Sequence, residues 1–277
     1  MLLQRLLIAL LLTPIGLWAM FNSSGSFAIF MGVVCLIAVY EYVRMFRGGG
    51  YQPADIALYL AIFSFWAATY YFQQPAPVIL IVLFTLIAVP FHLVSYERGR
   101  DQAVMDMMVT FSGILYLGVL SPFFLAIRDL PGGAWWLFIV LTSVWWADTG
   151  AYAWGSWLGK HLLAPRLSPK KTWEGYIGGF VTALLGAPFL LWILNIMGFS
   201  LPNAITVPRV MVIAFFMGIF PTLGDLMISM LKRYFGMKDT GKILMGHGGM
   251  LDRIDSWLWG VTIGYFLITE LFFKQLI

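Results

Sequence analysis

The sequence predicts an all-α fold: a polytopic integral membrane protein with about nine transmembrane helices, each needing roughly 17 to 25 apolar residues. Three observations carry this reading. Hydrophobic residues make up 61% of the 277 and charged residues only 11%, with a mean hydropathy of +0.86. So few polar side chains cannot cover a water-facing surface. Apolar runs long enough to cross a bilayer follow one another from end to end, and the cations divide unevenly between the links that join them.

The first run, residues 1–21, opens with one cation before an apolar stretch, as a signal peptide does. It shows no small-residue cleavage site and leads straight into further spans, so it reads as a retained helix. The others lie near 26–43, 55–72, 77–96, 104–127, 134–157, 176–198, 208–233 and 253–273. With the N-terminus cytoplasmic, fourteen Lys and Arg fall on the inner side, and only Arg128, Arg209 and Lys274 on the outer. Such a positive-inside bias supports nine crossings and an external C-terminus, because removing one span scrambles the alternation. Residues 1–130 read as transmembrane scaffold and a candidate oligomer interface. Residues 131–277 read as the catalytic region, with cytoplasmic loops 158–175 and 234–250. Both loops are basic and rich in Gly, Pro or Ser, whereas the outer links FNSSGS, QQPAP and SLPNAITVP carry no charge. A pI of 9.2 suits nucleic-acid binding, but cations gathered at a membrane face imply the lipid bilayer and a water-soluble anion as partners, and no nucleic acid. The single Cys35 excludes an intramolecular disulfide.

Charge is concentrated between Pro221 and Asp255. Asp225, Ser229 and Lys232 are spaced i, i+4, i+7 and share one helix face. Asp252 and Asp255, at i and i+3, share a face at the start of the next helix. Between them lie Lys232, Arg233, Lys238, Lys242 and His247, with Gly236, Gly241, Gly246, Gly248 and Gly249 allowing close approach of the backbone. Carboxylates for a hard cation, cations for phosphates and glycines for close contact describe a phosphate-transfer site. The topology also places Asp148, Asp225, Asp252 and Asp255 near the cytoplasmic ends of three helices. A charge at mid-membrane costs about 2.5–3.5 kcal/mol on insertion scales, so these acids are functional candidates. The plainer alternative pairs each with a nearby Lys or Arg, and leaves Lys170 and Lys171 as topology signals.

Gly236–Ile243 fits the phosphate-loop pattern G-x-x-x-x-G-K, but Ile243 stands where Ser or Thr must hold magnesium, and a membrane helix precedes it. His247 has no Cys nearby and suits a phosphate donor or a loop-ordering role better than a zinc site. Gly260 and Gly264 form G-x-x-x-G, which brings helices close either within one subunit or between the two copies of a homodimer.

The run Ser229, Lys232, Arg233, Lys238, Asp239, His247, Gly248, Gly249, Asp252, Arg253, Asp255 closely resembles the C-terminal signature of the phosphatidate cytidylyltransferases, or CDP-diacylglycerol synthases. The resemblance extends to DTGAYAWGSWLGK (Asp148 to Lys160) and SPKKTWEG (Ser168 to Gly175). The first hundred residues match only as hydrophobic spans. It implies that CTP and phosphatidic acid give CDP-diacylglycerol and pyrophosphate for phospholipid biosynthesis, at the cytoplasmic face of a bacterial inner membrane. Asp225, Asp252, Lys232 and Arg233 are then the catalytic residues. Lys170, Lys171, Glu174, Ser229, Lys238, Asp239, His247 and Arg253 contact substrate. Mg²⁺ sits on Asp225 and Asp252, with Asp255 and Asp148 supporting it or binding a second cation. Three other activities share these features: the same transfer to an ether lipid, a CTP-dependent lipid or polyprenol kinase, and a cation-coupled transporter.

Overall fold

The computed structural model describes residues 2–73, 75–241, 243 and 248–273, and among them eleven α-helices and one β-hairpin. The chain forms two compact units. One comprises Met1–Ala126 with Lys232–Ile254, the other Ile127–Leu231 with Asp255–Ile277.

The first unit contains α1 (Leu2–Asn22), α2 (Ser24–Gly48), α3 (Asp55–Phe72), α4 (Val78–Glu97) and α5 (Ala103–Gly113). A π-helical stretch, Ile114–Val119, continues α5 toward α6 (Phe123–Arg128). Ser23 and Ser26 start α2 as a reciprocal cap, each side chain accepting from the other's backbone N–H at 3.1 Å. Phe27, Cys35, Leu58, Phe65 and Leu117 fill the core. Polar ties cross it: the Tyr42 hydroxyl donates to the Val109 carbonyl at 2.9 Å. Asp106, fully buried, accepts from the Gln52 N–H at 2.8 Å and pairs with Arg100. A buried carboxylate with a charged partner and a backbone donor is stable where a lone one is not. Here it fastens the link between α2 and α3 to α5.

The second unit contains α7 (Gly133–Leu158), β1 (Leu162–Ala164), β2 (Ser168–Thr172), α8 (Trp173–Ile196), α9 (Val207–Met217), α10 (Pro221–Tyr234) and α11 (Leu251–Phe266), which continues as a π-helix over Leu267–Phe273. The unit boundary falls inside α10, after Leu231, and inside α11, after Ile254. Small residues let α7 and α8 touch backbone to backbone: a Cβ at Gly175 would lie 2.6 Å from the Ala151 carbonyl oxygen and 2.9 Å from Gly155 Cα. The Gly260/Gly264 face is filled from the same chain, since a Cβ at either position would press on Val144 or Val140 of α7 at 2.9 or 2.8 Å. That glycine pair therefore serves packing within one subunit.

Six helical stretches are long and apolar enough to cross a membrane: Ser24–Gly48, Asp55–Phe72, Val78–Glu97, Ala103–Arg128, Trp173–Ile196 and Val207–Tyr234. The architecture is all-α and polytopic, as expected, but fewer helices than nine meet that standard among the described residues. The other three expected spans are helical and fall short for visible reasons. In α1 side chains are described only from Leu10 onward, and Leu10–Asn22 is an apolar helix. The 26-residue α7 carries Thr142, Ser143, Asp148 and Thr149, and the 16-residue α11 starts with Asp252, Arg253 and Asp255. The expected span at 208–233 is two helices, because Pro221 has no N–H to extend α9.

The hairpin was not expected, since residues 158–175 read as an irregular loop. It pairs Leu162 with Thr172 and Ala164 with Ser168. The Trp173 N–H extends the pairing to the His161 carbonyl at 2.9 Å, just where α8 begins.

Candidate active site

In the second unit the hairpin positions the lysines. Successive residues of a strand point to opposite faces, so Lys170 and Lys171 are directed apart. Lys170 is exposed, while Lys171 Nζ lies 2.6 Å from Asp225 Oδ2, with 27% and 32% of the two side chains exposed. Asp225 Oδ1 accepts from the Ser229 hydroxyl one turn along α10 at 3.2 Å, which confirms their shared face. Asp148, exposed on α7, is within electrostatic range of both Lys171 and Asp225. Thr172 caps α8 by accepting from the Gly175 N–H at 3.1 Å. Glu174 braces the hairpin: its Oε2 accepts from the Lys160 and His161 N–H groups at 3.1 and 3.2 Å, and its Oε1 meets His161 Nδ1 at 2.5 Å. Asp255 is buried and accepts from the Ser256 N–H at 2.6 Å. Its backbone carbonyl touches Gly224 of α10 so closely that any Cβ there would collide.

In the first unit the end of α10 turns sharply at Gly236, whose φ of 64° is left-handed. The Met237 N–H returns to the Lys232 carbonyl at 2.7 Å and the Gly236 N–H to that of Arg233 at 3.1 Å, the double closure of a glycine C-cap. The cap leaves the Lys232 side chain directed at Asp252, Nζ to Oδ1 2.7 Å, with 10% and 8% of these side chains exposed. Asp252 Oδ2 accepts three further bonds: Thr240 N–H at 2.8 Å, Thr240 hydroxyl at 3.0 Å and Gly249 N–H at 3.1 Å. Arg233, Lys238, Asp239 and Arg253 are exposed around this knot, and Arg233 donates to the Met237 carbonyl at 3.2 Å. His247 and Lys242 lie outside the described residues.

Expected site residues thus gather into two clusters, each holding one signature Lys against one signature Asp: Lys171 with Asp225, and Lys232 with Asp252. Two members were missed by sequence reasoning. Thr240 donates its N–H to Asp252, and its hydroxyl, with one proton to share, lies 3.0 Å from Asp252 Oδ2 and 3.1 Å from Oε2 of Glu41, which is fully buried in α2. An acid inside an apolar span was the available signal for Glu41.

Among the described residues no group of three or more His, Cys, Asp or Glu side chains is placed to hold a metal ion. Magnesium, however, commonly takes one or two carboxylates and completes its shell with water and substrate phosphates. Asp225 and Asp148 suit that chemistry, being accessible and close enough to feel each other's charge. Asp252 suits it less as it stands, because only 8% of its side chain is exposed and Oδ2 alone faces three donors, whereas Asp225 is 32% exposed with one partner on each oxygen.

The cytidylyltransferase family matches residues 3–271 of this chain. The phosphatidate cytidylyltransferase of Bacillus subtilis (strain 168) is 32% identical over 270 residues, covering 96% of this chain and 97% of that protein. That of Staphylococcus haemolyticus (strain JCSC1435) is 36% identical over 194 residues, 69% of this chain and 71% of its own. A third, from Staphylococcus saprophyticus, is 35% identical over 190 residues, or 68% and 69% of the two chains. Similarity therefore runs through the N-terminal helices as well as the signature motifs, and the chain belongs to the phosphatidate cytidylyltransferase family.

Proposed function

We propose that this enzyme transfers a cytidylyl group from CTP to phosphatidic acid, giving CDP-diacylglycerol and pyrophosphate. A phosphatidate oxygen attacks the α-phosphorus of CTP. The bond from that phosphorus to the bridging oxygen breaks, and pyrophosphate leaves with the electron pair. The nucleophile is anionic near neutral pH, so no general base is needed. The site must instead offset repulsion between two polyanions and hold them in line.

The observation that carries this reading is that each unit holds a signature lysine against a signature aspartate, at 2.6 Å for Lys171 and Asp225 and 2.7 Å for Lys232 and Asp252. An acid orients each ammonium without neutralising it permanently, because a phosphate competes for the same donor. Lys171 in the second unit, and Lys232 and Arg233 in the first, bind substrate phosphates. Lys170, Lys238 and Arg253, all exposed, draw the nucleotide in, and Asp239 and His247 are further candidates for substrate contact. Glu174 and Ser229 hold Lys171 and Asp225 in place through the bonds already described. Mg²⁺, when bound, supplies positive charge to the transferring and leaving phosphates. Asp225 would hold it, with Asp148 or Asp255 in support, and Asp252 would serve as a ligand only with Lys232 displaced. The nine-span topology, with an inner N-terminus, cytoplasmic site and outer C-terminus, is supported by the cation distribution and by the helical stretches that coincide with all nine expected spans.

Acceptor specificity tests the proposal. Purified protein in mixed micelles should consume CTP with phosphatidic acid and not with diacylglycerol or a polyprenol. Phosphorylation of either of those alcohols would replace the proposal with a lipid kinase.

A further inference from the structure

Glu41 lies toward the C-terminal end of α2, where it is the helix's single acidic residue and has 0% exposure. A carboxylate in that setting is costly unless polar partners surround it. Its partners come from the signature turn: Glu41 Oε2 accepts from the Thr240 hydroxyl at 3.1 Å and from the Leu251 N–H at 2.9 Å. The turn is shaped around it. A Cβ at Gly241 would strike Glu41 Oε1, and one at Gly249 would strike both Glu41 Oε2 and Thr240 Oγ1. Thr240 then contacts Asp252 Oδ2 by its N–H at 2.8 Å and its hydroxyl at 3.0 Å. Glu41 therefore contacts Thr240, which bonds Asp252, and Leu251, the residue just before Asp252.

We infer that Glu41 is a positioning residue for the transfer reaction: from the N-terminal helices it fixes Thr240 and Leu251, and with them the Asp252 carboxylate that faces Lys232. The inference rests on the proposed role of those two residues. Glu41 itself touches no substrate and acts through Thr240 and Leu251. What it supplies is an acceptor oxygen in a fixed place, which a glutamine also has.

The test is steady-state kinetics of the full chain, with CTP varied at saturating phosphatidic acid, alongside limited trypsin digestion. Glu41→Ala should lower kcat by about tenfold or more, the loss of a buried acceptor, with KM for CTP little changed. Trypsin should cut faster after Lys238. Glu41→Gln should restore turnover to within about threefold of wild type, since its oxygen keeps the acceptor role. Thr240→Val should resemble Glu41→Ala, and the double variant should fall no more than about threefold below the weaker single, because both break one link. Near-normal turnover in Glu41→Ala overturns the inference. So do a Gln variant as slow as the Ala variant, which would make charge the requirement, and losses that multiply in the double variant. If Glu41→Ala is not recovered from membranes, Glu41→Gln and Thr240→Val decide: a slow Gln variant or a fast Val variant overturns the inference. A wild type that consumes no CTP would instead overturn the proposed function.

Discussion

Lys232 Nζ lies 2.7 Å from Asp252 Oδ1 with 10% and 8% of the side chains exposed, whereas Lys171 and Asp225, at 2.6 Å, keep 27% and 32%. Equal distances in unequal surroundings give the two pairs different consequences when broken.

Asp252→Asn leaves Lys232 as an uncompensated charge in an enclosed site, which costs about 3–5 kcal/mol. This variant should lose both turnover and several degrees of Tm. Asp225→Asn should lose turnover with the fold intact, because a partly exposed pair contributes only about 1 kcal/mol or less. Thermal unfolding of both variants in one detergent checks this. Equal losses of Tm would contradict the difference in burial.

Strand alternation separates the two neighbouring lysines. Lys171→Gln should reduce kcat/KM for CTP by about tenfold to a hundredfold, the loss of one charge-assisted bond of roughly 1.5–3 kcal/mol. Lys170→Gln, on the exposed face, should cost clearly less. Equal effects would mean that the lysines act as a generic basic patch.

Much of this was legible in the sequence because membrane helices advertise themselves. Six of the expected spans coincide with stretches long and apolar enough to cross a membrane, and Pro221 marks the break between α9 and α10. Asp225 and Ser229 meet as their i, i+4 spacing requires. The hairpin was not legible, since Leu162–Ala164 and Ser168–Thr172 are three and five residues long and too short for a periodicity to emerge among basic and proline residues. Without the strand, nothing distinguished Lys170 from Lys171. Glu41 and Thr240 meet across 199 positions of sequence, a contact that only the folded chain reveals.

Topology is open to cysteine labelling because the native Cys35 is fully buried. Ser200→Cys, exposed in the link between α8 and α9 that the cation distribution assigns to the outside, should react with an impermeant maleimide in intact cells. Arg166→Cys, exposed in the hairpin turn, should react only after permeabilisation. The reverse pattern would invert the orientation and remove the cytoplasmic site.

Excess chelator should abolish turnover and added Mg²⁺ should restore it, since carboxylates and phosphates together make a hard-ion site. Asp225→Asn should raise the Mg²⁺ concentration needed for half-maximal rate. Full activity in chelator would exclude a divalent ion from the reaction.

The most direct measurement follows two labels of CTP in one assay with purified protein and phosphatidic acid. Phosphorus-32 at the α position should appear in the lipid, and label at the γ position should appear in pyrophosphate, in equal amounts. Label from the γ position in the lipid, with CDP released, would contradict cytidylyl transfer.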